Sequence, residues 1–341
     1  MERTFVHLSQ LAFLLINGPL VFLNLAANIF YACCLIFPTC NTQSFKQPLN
    51  MLLGYLVWCT TLYFISLMLV SAVFNYVGDF NVFVVSWIIL NCYVHNSMTC
   101  SVWLNFYYYI QIVPSQRALV IWVKRNLRSI TCVALFLDAM FFCFDGVLNI
   151  VYLITSSGFA DINDTQTDDH IDELFFATHV CFFFIKVYIG ICLCIMMVSS
   201  FSTAHYLYRH IRSVAQGGGY FSSPRRRSQM RVTITGLSQA VLYFLYATFY
   251  FFDEFTYMFS PQFYLSAWVS FTVTSLYLSG TTVNLGIGQT AFKQRAADVW
   301  KALKVLCGVG MATNDVKMHS SQLTSGETAN TVTVGVQMSL H

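Results

Sequence analysis

The sequence predicts an all-α membrane protein, a bundle of seven transmembrane helices followed by a short amphipathic helix. Of the 341 residues, 57% are hydrophobic and only 10% are charged, whereas soluble domains carry about 25% charged residues. A soluble core of this size would not bury so much apolar surface, since long chains usually divide into several domains. The apolar surface must therefore face lipid, and long unbroken apolar runs satisfy their backbone there as helices.

Seven apolar runs are long enough to cross a bilayer, because about 20 apolar residues span its hydrocarbon core. The predicted spans are residues 8–37, 48–77, 80–113, 129–156, 174–207, 232–252 and 262–291. Asp138 and Asp145 interrupt the fourth span, and Lys186 interrupts the fifth. We expect the first span to be retained as an anchor, because it exceeds the roughly 7–15 apolar residues of a cleavable signal peptide.

The charges between the spans predict the orientation of the chain. Every Lys and Arg except Arg3 and Lys186 lies in one set of alternating loops, at its edges or in the C-terminal tail. The opposite loops carry acidic residues, namely Asp79, Asp161, Asp164, Asp168, Asp169, Asp172, Glu173, Asp253 and Glu254. Because basic loops stay in the cytoplasm, we predict an extracellular N-terminus and a cytoplasmic C-terminus. The sequon Asn163-Asp164-Thr165 then lies outside, where we expect Asn163 to be glycosylated.

The segment that follows the seventh span, residues 292–307, has the pattern of an amphipathic helix on an anionic leaflet. Its apolar residues share one face: Phe292, Val299, Leu303 and Leu306. Cys307 is either palmitoylated or an unmodified cytoplasmic thiol. Residues 308–341 are rich in Ser, Thr and Gly, so we predict a disordered tail that is a candidate for phosphorylation.

Charged side chains inside the spans are candidate functional groups, because they are costly in lipid and usually face the bundle interior. Asp138 and Asp145 lie two turns apart on one helix face. They form either a polar track for a ligand, or packing groups that are protonated or hydrogen-bonded. For Lys186, three roles are open: it lines an outer pocket, pairs with Asp145, or extends to the outer headgroups.

Two stripes of polar and aromatic side chains follow helical spacing. They are Trp87, Asn91, His95 and Met98 in the third span, and Tyr243, Tyr246 and Tyr250 in the sixth. The first stripe suits an internal cavity better than lipid, although Asn91 and His95 can instead form interhelical hydrogen bonds. The tyrosines form either a pocket wall or core packing, and their hydroxyls need partners if they are buried.

The sequence offers no catalytic or metal-binding constellation. No pair of C-x-x-C motifs with zinc spacing occurs, and no nucleophile motif such as G-x-S-x-G accompanies His95. We therefore predict no enzyme activity, no cofactor and no nucleic-acid partner. Arg225-Arg226-Arg227 follow three glycines in the third inner loop, where they contact either an acidic partner or lipid headgroups.

Short motifs stand at or near the ends of the spans and, in one case, within the sixth span. They are Tyr107-Tyr108-Tyr109-Ile110-Gln111-Ile112, Trp122-Val123-Lys124-Arg125, Tyr206-Leu207-Tyr208-Arg209-His210, Gln229-Met230-Arg231-Val232, Leu242-Tyr243-Phe244-Leu245 and Ile287-Gly288-Gln289-Thr290-Ala291-Phe292-Lys293-Gln294. These motifs resemble those of the type 2 (bitter) taste receptors, a family of seven-helix G-protein-coupled receptors. The resemblance covers all seven spans, and a glycosylated loop after the fourth span is also typical of the family.

The resemblance implies a plasma-membrane receptor that binds small bitter molecules from outside and activates a heterotrimeric G protein inside, of the gustducin or Gi type. Membrane lipids are the other expected partner. The ligand-binding candidates are Leu90, Asn91, Val94, His95, Lys186, Tyr243, Tyr246 and Phe271. The candidates for G-protein coupling are Tyr108, Gln111, Arg117, His210 and Arg231.

Two other functions remain as alternatives. A receptor for odorants or pheromones shares the seven-helix bundle, but the rhodopsin-like motifs D-R-Y, C-W-x-P and N-P-x-x-Y are missing. An ion-coupled transporter would use Asp138, Asp145 and Lys186, although the two halves of the chain show no internal repeat of the kind that many transporters have.

Overall fold

The part of the chain that the computed structural model describes consists almost entirely of helix. It comprises residues 4–6, 8–37, 47–76, 80–114, 118–158, 165–216, 224–259, 263–290, 292–301 and 304. The seven long helices within it are α1 (Gln10–Ile36), α2 (Gln47–Tyr76), α3 (Phe80–Ile112), α4 (Ala118–Gly158), α5 (Thr165–Gln216), α6 (Pro224–Phe259) and α7 (Ala267–Gly288). Two short strands, β1 (Thr4–Val6) and β2 (Phe263–Leu265), pair in parallel and join the segment before α1 to the connection between α6 and α7.

The chain divides into two units, Met1–Thr290 and Ala291–His341. The first unit contains the seven long helices. In the second unit residues 292–301 are helical, and the Lys304 ammonium lies 5.6 Å from the centre of the Trp300 ring. The predicted tail, residues 308–341, lies outside the described residues.

Six helices, α1 to α6, are long and apolar enough to cross a membrane. The seventh, α7, has 22 residues, and at about 1.5 Å per residue it also exceeds the roughly 30 Å of a hydrocarbon core. Its buried face is polar. That face includes Thr272, Thr274, Ser275, Ser279, Thr281 and Thr282. The predicted fold is thus confirmed as an all-α transmembrane bundle with a short helix after it.

Several helices extend beyond the apolar runs. α4 begins at Ala118 and α5 at Thr165, each before its predicted span, and α6 continues to Phe259. These extensions carry charged residues, which water and headgroups solvate outside the hydrocarbon. As a consequence Asp253, which the sequence pattern assigned to an outer loop, lies within the last turns of α6.

The helix order defines two ends of the bundle. At the basic end α3 ends and α4 begins, and α5 ends and α6 begins; Lys124, Arg125, Arg209 and Arg212 lie there. The opposite end is called the acidic end below. Helix α3 lies at the centre, since it packs against α2, α4, α5 and α6.

A polar seam joins α1 to α7. Asn17 Nδ2 donates to Thr272 Oγ1 at 2.9 Å, Asn24 Nδ2 donates to Ser279 Oγ at 2.7 Å, and the Tyr31 hydroxyl donates to the backbone oxygen of Thr282 at 3.3 Å. Hydrogen bonds of this kind hold helices together in lipid, where hydrophobicity alone does not. We call these contacts the α1–α7 seam.

Candidate ligand cavity and inner polar network

A cavity of ≈ 210 Å³ lies among α2 to α7 in the acidic half of the bundle. The side chains around it come from Tyr63 of α2; Trp87, Ile88, Leu90, Asn91, Val94 and His95 of α3; Asp145 and Asn149 of α4; Phe182, Ile185 and Lys186 of α5; Tyr246, Phe249, Tyr250 and Asp253 of α6; and Ser270, Phe271 and Thr274 of α7. Their helix positions are near the start of α3 and α7 and near the end of α4 and α6. We call this space the outer cavity.

Lys186 presents its ammonium to aromatic rings at the edge of the outer cavity. Its Nζ lies 3.5 Å from the centre of the Tyr250 ring and 4.3 Å from that of Phe182. A cation over an aromatic face is attracted by the ring's quadrupole. Lys186 therefore lines the cavity, and Asp145 lies in the same wall.

His95 is the buried polar group of α3 beside this aromatic wall. Its ring stacks on Phe142 with the centroids 5.2 Å apart, and the Tyr250 ring meets it edge-on at 5.7 Å. The imidazole, 7% exposed, therefore lies between aromatic rings in a mainly apolar part of the cavity wall.

Two carboxylates also line the outer cavity. Asp253 Oδ2 accepts a hydrogen bond from Ser270 Oγ at 3.1 Å, and Asp145 Oδ1 accepts one from Asn149 Nδ2 at 3.2 Å. Asp138 differs from them, because its Oδ1 accepts a hydrogen bond from the Tyr188 hydroxyl at 2.6 Å and it is not part of the lining. Of the two aspartates of the fourth span, Asp145 thus faces the cavity and Asp138 bridges α4 and α5.

Aromatic rings form much of the remaining wall. The rings of Trp87 and Phe271 lie with their centroids 4.9 Å apart. Tyr246 stacks on Tyr277 at 4.6 Å, and its hydroxyl shares a hydrogen bond with Thr274 Oγ1 at 3.3 Å. These rings provide flat apolar faces between the charged groups.

The predicted ligand residues come together in this cavity with one exception. Leu90, Asn91, Val94, His95, Lys186, Tyr246 and Phe271 all line it. Tyr243 does not, since it lies one turn deeper in α6, is 1% exposed and donates its hydroxyl to the backbone oxygen of Ile189 at 3.5 Å. At 3.6 residues per turn, Tyr246 and Tyr250 of the same stripe reach the cavity while Tyr243 packs in the core.

Sequence reasoning missed several residues of the wall, chiefly Asp253, Asn149, Phe182, Ser270 and Thr274. Ser270 and Thr274 were recognisable in the sequence, because they stand four residues apart in a span that is rich in Ser and Thr. For Asp253 the apolar run ended too early to reveal that the helix continued. Among the described residues no group of three or more His, Cys, Asp or Glu side chains can hold a metal ion.

A second set of polar side chains connects α3, α6 and α7 nearer the basic end, around a space of ≈ 20 Å³, enough for one water molecule. Gln239 Nε2 donates to Thr281 Oγ1 at 3.0 Å. Asn284 Nδ2 donates to Gln239 Oε1 at 3.0 Å, and Gln289 Nε2 donates to the Tyr108 hydroxyl. We call these residues, together with Asn105, the inner network.

Asn105 extends the inner network to α5. Its Nδ2 lies 2.5 Å from Ser200 Oγ and 3.4 Å from the backbone oxygen of Gly236. One amide group thus contacts α5 and α6 from the central helix α3, so a change in the spacing of these helices changes its hydrogen bonds.

The sequence model of the family described as taste receptor protein (TAS2R) matches residues 49–304 of the chain. This segment is most of the 341 residues and includes the outer cavity and the inner network. The chain belongs to the taste receptor type 2 family. Members are G-protein-coupled receptors rather than enzymes, and the protein is a multi-pass membrane protein. A comparison with curated protein sequences finds no match.

The residues expected to couple this taste receptor to a G protein occupy different environments. Tyr108 is buried in the inner network, and Gln111 lies in the last turn of α3. His210 is exposed near the end of α5, with its ring 6.1 Å from that of Tyr206. Arg231 is half-buried in α6.

Two further predicted positions of the taste receptor, Arg117 and the sequon residue Asn163, lie outside the described residues. Of the described coupling candidates, Tyr108 is thus buried, Gln111 and Arg231 are half-buried, and His210 is exposed.

Proposed function

We propose that this taste receptor binds small organic molecules, bitter compounds among them, in the outer cavity and activates a heterotrimeric G protein at its basic end. The observation that carries the proposal is the outer cavity itself, which has ≈ 210 Å³, compared with roughly 10–15 Å³ for one water. Its wall combines aromatic faces with a few polar groups, which is the usual composition of a small-molecule site.

The chemistry of the wall favours amphipathic ligands. The faces of Trp87 and Phe271 suit a planar apolar group, while Asp145, Asp253 and the Lys186 ammonium offer charges of both signs. A ligand with an aromatic ring and one hydrogen-bonding or charged group fits this combination. In our proposal the ligand binds reversibly and is not chemically altered.

Activation requires a ligand that binds the active bundle more tightly than the resting one, because only differential affinity shifts the equilibrium. The outer cavity and the inner network both involve α3, α6 and α7. A ligand that changes the spacing of these helices at the acidic end therefore acts on the hydrogen bonds of Gln239 and Asn284.

The proposal also covers the location of the receptor and the protein that it activates. The receptor lies in the plasma membrane with an extracellular N-terminus, and a G protein of the gustducin or Gi type meets the basic end near Gln111, Arg117, His210 and Arg231. Membership of the taste receptor family favours this function over odorant or pheromone reception and over ion-coupled transport.

The test is a panel of bitter compounds applied to cells that express the receptor with a chimeric taste G protein, with intracellular calcium as the signal. Tyr250→Leu removes the ring that lies 3.5 Å from the Lys186 ammonium. We expect it to raise the half-maximal concentration of an agonist about tenfold, which corresponds to about 1.4 kcal/mol, because the ammonium loses a ring that positions it at the cavity wall and the agonist loses an aromatic face.

The matched control is Phe244→Leu, which also replaces an aromatic residue of α6 by Leu but lies 45% exposed on the outer surface of the bundle. Its dose–response curve should equal that of the unmodified receptor at equal surface expression. Equal shifts in both variants, or no response to any compound in cells whose G protein responds to another receptor, would refute the proposal.

A further inference from the structure

Tyr277 of α7 stands between the outer cavity and the inner network. Its ring stacks on that of Tyr246, with the centroids 4.6 Å apart and the planes at 20°, and Tyr246 lines the outer cavity. One turn further along α7, Thr281 Oγ1 donates to the backbone oxygen of Tyr277 at 3.0 Å. The same Oγ1 accepts a hydrogen bond from Gln239 Nε2. Tyr277 thus contacts both a wall of the cavity and a member of the network.

The hydroxyl of Tyr277 is buried without a hydrogen-bond partner. The residue is 4% exposed, and none of the described residues donates to the hydroxyl oxygen or accepts from it. The side chains of Ser101, Thr281 and Gln239 lie near this hydroxyl. A buried hydroxyl of this kind has lost its hydrogen bonds to water and gained none in the protein, so it destabilises the arrangement in which it stands.

Ring stacking alone does not account for a tyrosine at position 277. A phenylalanine offers the same flat face, so it would stack on Tyr246 without burying a hydroxyl. The partner ring shows the usual solution, since the Tyr246 hydroxyl shares a hydrogen bond with Thr274 Oγ1 at 3.3 Å. A hydroxyl that is unpaired in one arrangement and paired in another favours the second arrangement.

Ser101 of α3 is the partner that fits the Tyr277 hydroxyl. Ser101 Oγ donates to the backbone oxygen of Ser97 at 3.0 Å and accepts from Gln239 Nε2 at the long distance of 3.4 Å. Because a hydroxyl oxygen can accept two hydrogen bonds, Ser101 Oγ has capacity for one more. Ser101 also lines the space of ≈ 20 Å³ at the inner network. A hydrogen bond from Tyr277 to Ser101 would join α7 to the central helix α3.

We propose that Tyr277 is the positioning residue that couples the outer cavity to the inner network, and that the arrangement with the unpaired hydroxyl is the resting one. A ligand in the cavity displaces the Tyr246 ring, the stacked Tyr277 ring follows, and its hydroxyl then donates to Ser101 Oγ. This hydrogen bond stabilises only the active arrangement, so it shifts the equilibrium without contributing to ligand binding in the resting one. The inference rests on the proposed role of the outer cavity as the ligand site.

The test is Tyr277→Phe, which keeps the ring and removes only the hydroxyl. Receptor activity is measured as nucleotide exchange on a purified G protein. Basal exchange should fall about fivefold, since one neutral hydrogen bond of the active arrangement is lost. The probe for binding is the panel compound with the lowest half-maximal concentration. Its affinity, measured without G protein, should stay within about twofold, because Tyr277 is not part of the cavity lining.

Thermal unfolding of the ligand-free receptor separates this role from a structural one. Tyr277→Phe removes an unpaired hydroxyl, so the unfolding midpoint should stay equal or rise. The matched control is Tyr55→Phe in α2, because the Tyr55 hydroxyl donates to Asn96 Oδ1 of α3 at 2.8 Å and Tyr55 lines neither the outer cavity nor the space at the inner network. The control loses an existing hydrogen bond, so it should lower the midpoint and leave basal exchange per receptor unchanged.

Ser101→Ala tests the identity of the partner. If the two hydroxyls pair in the active arrangement, Tyr277→Phe/Ser101→Ala should lower basal exchange no further than the single variant with the larger effect. Effects that multiply in the double variant would show that the Tyr277 hydroxyl does not act through Ser101, and they would overturn the proposal.

Two further results would also contradict the role of the Tyr277 hydroxyl. A midpoint for Tyr277→Phe as low as that for Tyr55→Phe would show that the hydroxyl is already bonded in the resting arrangement, for example through a buried water molecule. Unchanged basal exchange in Tyr277→Phe would show that the hydroxyl does not stabilise the active arrangement. Basal exchange and unfolding are measured without ligand, so they test this inference even if no panel compound activates the receptor and the proposed function fails.

Discussion

Gly236 of α6 lies against Asn105 of α3, where an added Cβ would stand 2.9 Å from Asn105 Oδ1. The Gly236 carbonyl also accepts a hydrogen bond from Ser200 Oγ at 3.3 Å. We expect Gly236→Ala to lower the thermal unfolding midpoint of the purified receptor. Overpacking costs about 1–3 kcal/mol, which exceeds the gain of at most about 1 kcal/mol from the helix preference of Ala.

The matched control for Gly236→Ala is Gly190→Ala in α5, where an added Cβ has no atom within 4 Å outside its own helix backbone. This variant gains the helix preference without a clash, so its unfolding midpoint should stay equal or rise. Equal decreases for Gly190→Ala and Gly236→Ala would show that the contact with Asn105 does not limit the approach of α6.

At the scale of elements, the α1–α7 seam should stabilise the bundle. Asn24 is 5% exposed, and its Nδ2 donates to the backbone oxygen of Leu20 and to Ser279 Oγ, both at 2.7 Å. Interhelical hydrogen bonds in membranes contribute about 0.6 kcal/mol on average and up to about 1.7 kcal/mol. Asn24→Ala should therefore lower the unfolding midpoint by a small, measurable amount.

Asn126→Ala provides the comparison for Asn24→Ala. Asn126 Nδ2 also donates to the backbone oxygen four residues earlier, that of Trp122, at 3.2 Å. Asn126→Ala therefore measures the effect of losing a bond within one helix, which corresponds to the bond from Asn24 to the Leu20 backbone oxygen. If thermal unfolding monitored by fluorescence gives the same midpoint for both variants, the bond to Ser279 does not stabilise the contact between α1 and α7.

The helices were predictable from the sequence, but their ends were not. An apolar run marks only the part of a helix that lies in lipid, so the charged turns of α4, α5 and α6 continued beyond the predicted spans. The seam of α1 left a signal, since Asn17, Asn24 and Tyr31 stand seven residues apart. That spacing matches one helix face, although it does not identify α7 as the partner.

For the whole molecule, sequence periodicity predicted which face of α3 is polar but not which faces of other helices meet it. Asn91 and His95 were recognisable because they lie four residues apart in one span. Asp253 and Ser270 belong to different helices, and only the packing of α6 against α7 brings them together at 3.1 Å. The rotation of each helix relative to its neighbours depends on packing that a single sequence does not encode in a readable pattern.

The segregation of charge between the two ends predicts the orientation of the whole receptor. Basic residues at one end and acidic residues at the other favour an extracellular N-terminus, because Lys and Arg near spans stay in the cytoplasm. In intact cells an antibody should therefore label an N-terminal tag, and it should label a C-terminal tag only after permeabilisation. Treatment with a glycosidase should increase the electrophoretic mobility of the receptor, and Asn163→Gln should abolish that shift.

The two measurements test the orientation independently, since the tags report the chain ends and the glycan reports the loop between α4 and α5. Asn126→Gln, which lies near the start of α4, is the matched control and should keep the glycosidase shift. Labelling of the C-terminal tag in intact cells would contradict seven crossings with the basic end inside. A receptor without glycan but with the expected tag pattern would contradict only modification at Asn163, because a sequon can face the lumen without being used.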